Sequence, residues 1–225
     1  MNTKMNTRKL TTMGIMAGLS VVLVFLFHFP VFPQAPFLEY DPADIPILIM
    51  TFTYGPVAGL IVTVIAALVQ GLTVSIQSGP YGVIMHIIST GTYVLTAGII
   101  YRIKHSYKGA CIAIISGVVA SAALMVAANL IITPLFMGAS VEAVKAMLIP
   151  VIIPFNLIKS GANGALTMML YKFVRIALNK SRLLPVSDST TEKPLKINII
   201  GLITFLLIEI IFVLLILYIR GVIVI

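Results

Sequence analysis

Apolar stretches interrupted by single glycines and prolines run through most of this chain, and a sequence built that way has very few places to fold. Hydrophobic side chains make up 60% of its 225 residues and charged ones only 10%, whereas soluble domains carry roughly a quarter charged. The chain is therefore read as an integral membrane protein. No alternation of polar and apolar positions suggests a barrel, so the structure that satisfies backbone groups in lipid is a bundle of helices. Spans are predicted at about 10–29, 44–54, 56–73, 81–101, 109–132, 148–171 and 198–219, with Gly55-Pro56 parting the second from the third. The first is too long for a signal peptide and is followed by no small-x-small cleavage site.

A formal charge of +8 raises the question of nucleic acid, which the placement of the charges answers. With the N-terminus inside, Lys4, Arg8, Lys9, Arg102, Lys104, Lys108, Lys172, Arg175, Lys180, Arg182, Lys193 and Lys196 fall on the cytoplasmic side, twelve of fifteen basic residues. That is the positive-inside pattern of a plasma-membrane protein, not a soluble basic patch. The single cysteine, Cys111, has no partner for a disulfide and reads as a small core residue.

This topology divides the chain into a six-helix domain over residues 1–178, a polar cytoplasmic linker over 179–197 and an additional C-terminal transmembrane helix within 198–225. The last helix is almost uniformly Leu, Ile, Val and Phe, and its Glu209 must pair, be protonated or face protein. Small residues recur at helix-packing spacing at Gly14 and Gly18, Gly55 and Gly59, and Ser116 and Ala120. The Gly14/Gly18 face of the first helix is the best candidate for a partner.

Three of seven acids, Glu39, Asp41 and Asp44, fall in the external stretch FLEYDPADIP. Asp41 fits a helix N-cap, Pro42 the first helical position, and Asp44 the positive end of the helix dipole. Phe37, Leu38, Glu39 and Tyr40 precede that helix as a candidate lid.

Polar side chains at membrane depth need a protein partner or a ligand. Asn129 lies four residues before the Thr133-Pro134 pair expected to end the fifth span, and Asn156, Lys159 and Asn163 share one face of the sixth. Lys159 is too deep to snorkel easily. It bonds either carbonyls or an acid of the external loop, or else a polar ligand in an externally open pocket. For Asn129 and Asn156 the ordinary alternative is interhelical bonding. Gln70, Thr73 and Ser75 end the third span. His86 has no second His or Cys at ligand spacing, so it reads as a satisfied interior residue and no metal site is expected.

Enzyme classes find no support: the chain has no H-E-x-x-H, no G-x-S-x-G and no intramembrane aspartate pair. No Gly-rich loop precedes Lys159-Ser160, so any ATP is used by another subunit. An acidic or histidine relay for ion coupling is also missing.

The run from FLEYDPADIP through YGPVAGL to SGPYGVIMH, followed by IPFNLIKSGANGAL, closely resembles the riboflavin-specific substrate-binding (S) component of energy-coupling factor (ECF) transporters, the RibU type. The likeness covers roughly residues 8–180. It implies a six-helix bundle that captures riboflavin with high affinity at the outer face, flavin mononucleotide being a further candidate ligand. Delivery then requires a transmembrane coupling subunit and two cytoplasmic ATPases, with no permanently bound cofactor in this chain. By resemblance Asn129, Asn156 and Lys159 are polar ligands of the vitamin, with Phe37, Leu38 and Tyr40 covering it, and the first-helix small-residue face docks on the coupling subunit. The usual motif there is alanine-based, whereas Gly14 and Gly18 meet the spacing here with Ala17 adjacent. Lys159→Ala and Asn156→Ala are expected to weaken binding without unfolding the bundle. The alternatives are an S component for thiamin or biotin, and a scaffold whose polar residues only join helices.

Overall fold

A computed structural model describes residues 7–33 and 35–183. The C-terminal span, Glu209 and most of the linker lie outside the described residues. The order is α1 (Thr7–Leu26), β1 (Phe29–Pro30), β2 (Glu39–Tyr40), α2 (Asp44–Tyr54), α3 (Pro56–Leu72), a 3-10 turn (Ile76–Ser78), α4 (Gly79–Ile103), α5 (Tyr107–Met137), α6 (Val141–Met147), a π-helical turn (Leu148–Ile152) and α7 (Ile153–Lys180). Among the described residues, four stretches are long and apolar enough to cross a membrane: Thr7–Leu26, Ile76–Ile103, Tyr107–Met137 and Val141–Lys180. The apolar helices α2 and α3 are shorter.

Helix α2 is the axis of the bundle. Every residue from Asp44 to Phe52 is buried, as expected of a helix that is apolar on all sides. It stops at Gly55, whose φ of 94° only glycine adopts freely and whose N–H reaches Thr51 O at 2.8 Å; Pro56 then opens α3. Gly59 lets α3 return against Thr51, where any Cβ would collide. Around α2 the main core gathers Met16, Ile47, Leu48, Met50, Val62, Tyr93, Val94 and Ala113. A second cluster at the loop-rich end joins Val31, Phe32 and Leu38 of the hairpin to Val144, Ile152 and Phe155. Side chains such as Leu19, Phe25, Ile65, Ile115 and Val119 remain exposed, an outer surface suited to lipid.

Three local expectations are corrected. Helix α2 begins at Asp44, with Ala43 at the cap position and no side-chain cap; Asp41 instead accepts Ala43 N at 3.1 Å, in the turn before the helix. Asp41 is drawn away by α7, as described below. The fifth span does not end at Thr133-Pro134 but continues to Met137, with Pro134 accommodated inside the helix at the loss of its own N–H bond. The stop is left-handed Gly138, φ 63°. Residues 133–147, read as an external loop, contain that last turn and α6.

On α1, Gly14 and Gly18 are exposed with no heavy atom within 4 Å of a Cβ added there, while Ala17 is buried inward. Ser116 and Ala120 are half-buried.

Candidate functional site

The helix ends near the hairpin enclose a cavity of about 140 Å³ lined from the hairpin, α3, α4, α5 and α7. The hairpin is a two-residue antiparallel ladder, Phe29 opposite Tyr40 and Pro30 opposite Glu39, and the turn leading into β2 together with its first residue brings Phe37, Leu38 and Glu39 to the cavity. Aromatic edges meet at this wall. Phe136, on the turn of α5 beyond Pro134, has its ring centroid 5.8 Å from Phe37 and 6.1 Å from Tyr81, within the range of favourable aromatic pairing.

Asn129, Asn156 and Lys159, the polar set named from the sequence, all line the cavity, as do Gln70, Phe37, Leu38 and Glu39. Asn129 is held by its own helix: its amide donates to Met125 O at 2.8 Å and its Oδ1 accepts from Thr133 Oγ1 at 2.8 Å. Asn156 donates to Ile152 O at 2.8 Å, a carbonyl of the π turn. Lys159 Nζ stands 2.7 Å from Asp41 Oδ2, an ion pair in which Asp41 is 2% exposed. Of the two protein partners foreseen for this lysine, carbonyls and an acid of the loop, the acid is the one it meets.

Tyr40, Asn163 and Thr73 do not line the cavity. Tyr40 Oη donates to Asn163 Oδ1 at 3.0 Å, and Asn163 Nδ2 donates to Asp41 O at 2.9 Å and Asp44 Oδ2 at 3.0 Å. These two therefore fasten the hairpin and the start of α2 onto α7. Thr73 is exposed and donates to its own helix at Val69 O. Asp44 also accepts Thr90 Oγ1 at 2.6 Å, so the acid expected to serve a helix dipole is bonded by α4 and α7.

Two buried atoms on lining residues lack any hydrogen-bond partner, Gln70 Oε1 and His86 Nε2. The satisfied-interior reading of His86 is corrected on that nitrogen. An unpartnered buried polar atom costs about 1–3 kcal/mol, a cost a bound solute or water can relieve. Burial pushes the Glu39 carboxyl above its ordinary range; His28 opposes this, Asp41 adds to it, and Lys159 opposes it. No group of three or more His, Cys, Asp or Glu side chains among the described residues could hold a metal.

The sequence reading also passed over Tyr81, Ser89, Thr90, Phe136 and Phe155, all of which line the cavity. A signal existed for two of them. His86, Ser89 and Thr90 form a polar row at helical spacing in an otherwise apolar segment. Phe136 was hidden behind the misplaced end of α5.

Amides, a lysine, unpartnered polar atoms and aromatic edges converging inside an apolar bundle define a membrane-embedded binding protein for a small organic solute. Comparison with known proteins gives the particular family. The profile of the ECF transporter, substrate-specific component, matches residues 8–171, and the chain belongs to that family, one of transport subunits rather than enzymes. Its relatives include "Riboflavin transporter RibU" of Staphylococcus aureus (strain TCH60), 31% identical over 73% of this chain and 89% of that protein. "Riboflavin transporter FmnP" of Bacillus subtilis (strain 168) is 28% identical over 77% of this chain and 93% of the relative. A solved structure described as "Structure and mechanism of the S component of a bacterial ECF transporter" superposes with a TM-score of 0.67 at 30% identity, covering 76% of this chain and 98% of the other.

Proposed function

We propose that this chain is the riboflavin-binding subunit of an ATP-driven ECF transporter of the cell membrane. It works as a six-helix core with a further C-terminal helix, its N-terminus in the cytoplasm and its cavity facing outside. A transmembrane coupling subunit and two ATPase subunits complete the transporter. The observation that carries the reading is the meeting of Asn129, Asn156, Lys159 and Gln70 beneath Phe37 and Leu38 in one cavity, in a chain whose relatives are named riboflavin transporters. The isoalloxazine edge alternates carbonyl acceptors with an N–H donor, which amides read in both directions, and the ribityl chain supplies hydroxyls for Gln70 Oε1 and His86 Nε2. Aromatic edges at Phe37, Tyr81 and Phe136 suit a flat ring system. A pocket organised in this way rejects solutes without those groups, because its own polar atoms are then left unpaired.

Detergent-purified protein is expected to be yellow as isolated, or to quench riboflavin fluorescence until one flavin is bound per chain. Calorimetric binding of thiamin or biotin, with riboflavin fluorescence unchanged, points to another vitamin of the same class. A colourless preparation that leaves riboflavin fluorescence unchanged sinks the reading.

A further inference from the structure

The cavity holds a lysine, yet that lysine has no charge to spare. Among the described residues lining the cavity, Lys159 supplies the sole ammonium or guanidinium, and Asp41 engages it at 2.7 Å. The Asp41 carboxylate is fixed from three directions. Its Oδ2 accepts Lys159 Nζ and, at 3.5 Å, Gln70 Nε2, while its Oδ1 accepts Ala43 N at 3.1 Å. Its backbone carbonyl accepts Asn163 Nδ2 at 2.9 Å. One residue thus ties the loop before α2 to α3 and to two positions of α7.

Two further acids stand nearby outside any ion pair. Glu39 lines the cavity, and Asp44, just behind it, is bonded by the neutral donors Thr90 Oγ1 and Asn163 Nδ2. Neither forms an ion pair among the described residues. At ordinary charge, three acids face one lysine. The first turn of α4 also reaches the cavity, through Tyr81 and Gly82. Its macrodipole offers only about half a positive charge, and Pro80 contributes no N–H to it.

We infer that Asp41 is a positioning residue that holds the Lys159 ammonium at the cavity wall and neutralises it, so that the site takes the uncharged flavin and discriminates against its phosphate monoester. This rests on the flavin reading above. A phosphate monoester carries about −1.5 to −2 charges at neutral pH. It needs an unengaged cation, and here it meets the fields of Glu39 and Asp44 instead. The neutral vitamin needs only donors and acceptors, which the pinned ammonium and the amides supply in fixed directions.

Fluorescence titrations with riboflavin and flavin mononucleotide, which share the reporting ring, test this on the full chain in detergent. Wild type is expected to prefer riboflavin. Asp41→Asn leaves Lys159 charged but unneutralised; it should weaken riboflavin binding and move the ratio of the two dissociation constants about tenfold toward the phosphate ester. Glu39→Gln, which leaves the ion pair alone, should move the ratio in the same direction by less. A purely structural role for Asp41 weakens both flavins equally, and an unchanged ratio in Asp41→Asn overturns the inference while leaving riboflavin binding intact as a reading. If Asp41→Asn does not fold, Asp41→Ser, a smaller neutral acceptor, is read in the same way, and an unchanged ratio there overturns the inference. Wild type that prefers the phosphate ester overturns the inference; wild type that quenches neither flavin overturns both readings.

Discussion

Lys159 gives up most of its hydration to stand beside Asp41, so the effect of removing it depends on what Asp41 is left with. With its side chain 2% exposed, that carboxylate has only Gln70 and the Ala43 N–H to fall back on. Breaking a buried pair by deleting one partner costs about 3–5 kcal/mol, whereas replacing both by apolar groups is often neutral. Lys159→Met is accordingly expected to lower the melting temperature of the detergent-solubilised protein as well as flavin affinity. The expectation that Lys159→Ala weakens binding without unfolding the bundle is thereby joined by an expected loss of stability. Combining it with Asp41→Leu should restore most of the melting temperature and none of the affinity. A single variant as stable as wild type shows that the pair does not hold the fold. Depth in the span made it legible from sequence that Lys159 requires a partner. Which partner was not legible, because D-P-x-D is also the spacing of a helix start, and only the approach of α7 decides between a local cap and a long-range pair.

At the scale of elements, α4, α5 and α7 meet on a single tyrosine. Tyr93 is 1% exposed, donates from its hydroxyl to Ser160 O at 3.1 Å and lies against Gly117 and Gly164. A Cβ on Gly117 would sit 2.5 Å from Tyr93 Cδ2, and one on Gly164 would strike the Tyr93 hydroxyl and approach Ile114 Cγ2 to 2.6 Å. Overpacking a filled core costs about 1–3 kcal/mol. Gly117→Ala and Gly164→Ala should each lower the melting temperature, and Gly14→Ala, with open space around it, should leave it unchanged. Equal effects at all three positions would show that this junction is looser than its geometry. The helices themselves were readable, since lipid forces every apolar run to satisfy its own backbone and Gly55-Pro56 marks its break with two residues of opposite conformational preference. The hairpin, α6 and the π turn were not. They are short, their sequences carry no clear periodicity, and their conformations follow from packing against Phe155 and Val144.

Across the described residues the cavity and most of the basic residues occupy opposite ends, Lys159 and Lys145 being the exceptions. The cavity draws on the C-terminal parts of α3 and α5 and the N-terminal parts of α4 and α7. Arg102, Lys104, Lys108, Lys172, Arg175 and Lys180 lie at or beyond the other ends of α4, α5 and α7. Between the two ends stand Ile47, Leu48, Met50 and Val94, none of them exposed at all. A solute held in the cavity meets a close-packed core, and cores of this density rearrange between discrete states rather than opening gradually. Transport on the proposed reading therefore needs the subunit to be moved as a body by its partner. The surface available for that grip includes α1, which packs inward on α2 and α3 while turning Gly14 and Gly18 outward. Two glycines one turn apart let another helix approach backbone to backbone. Gly14→Leu with Gly18→Leu would fill that approach without touching the cavity. Such a variant should quench riboflavin with wild-type affinity in detergent, yet lose vitamin uptake in cells and fail to copurify with the coupling subunit. Uptake at the wild-type rate would remove α1 from the docking surface.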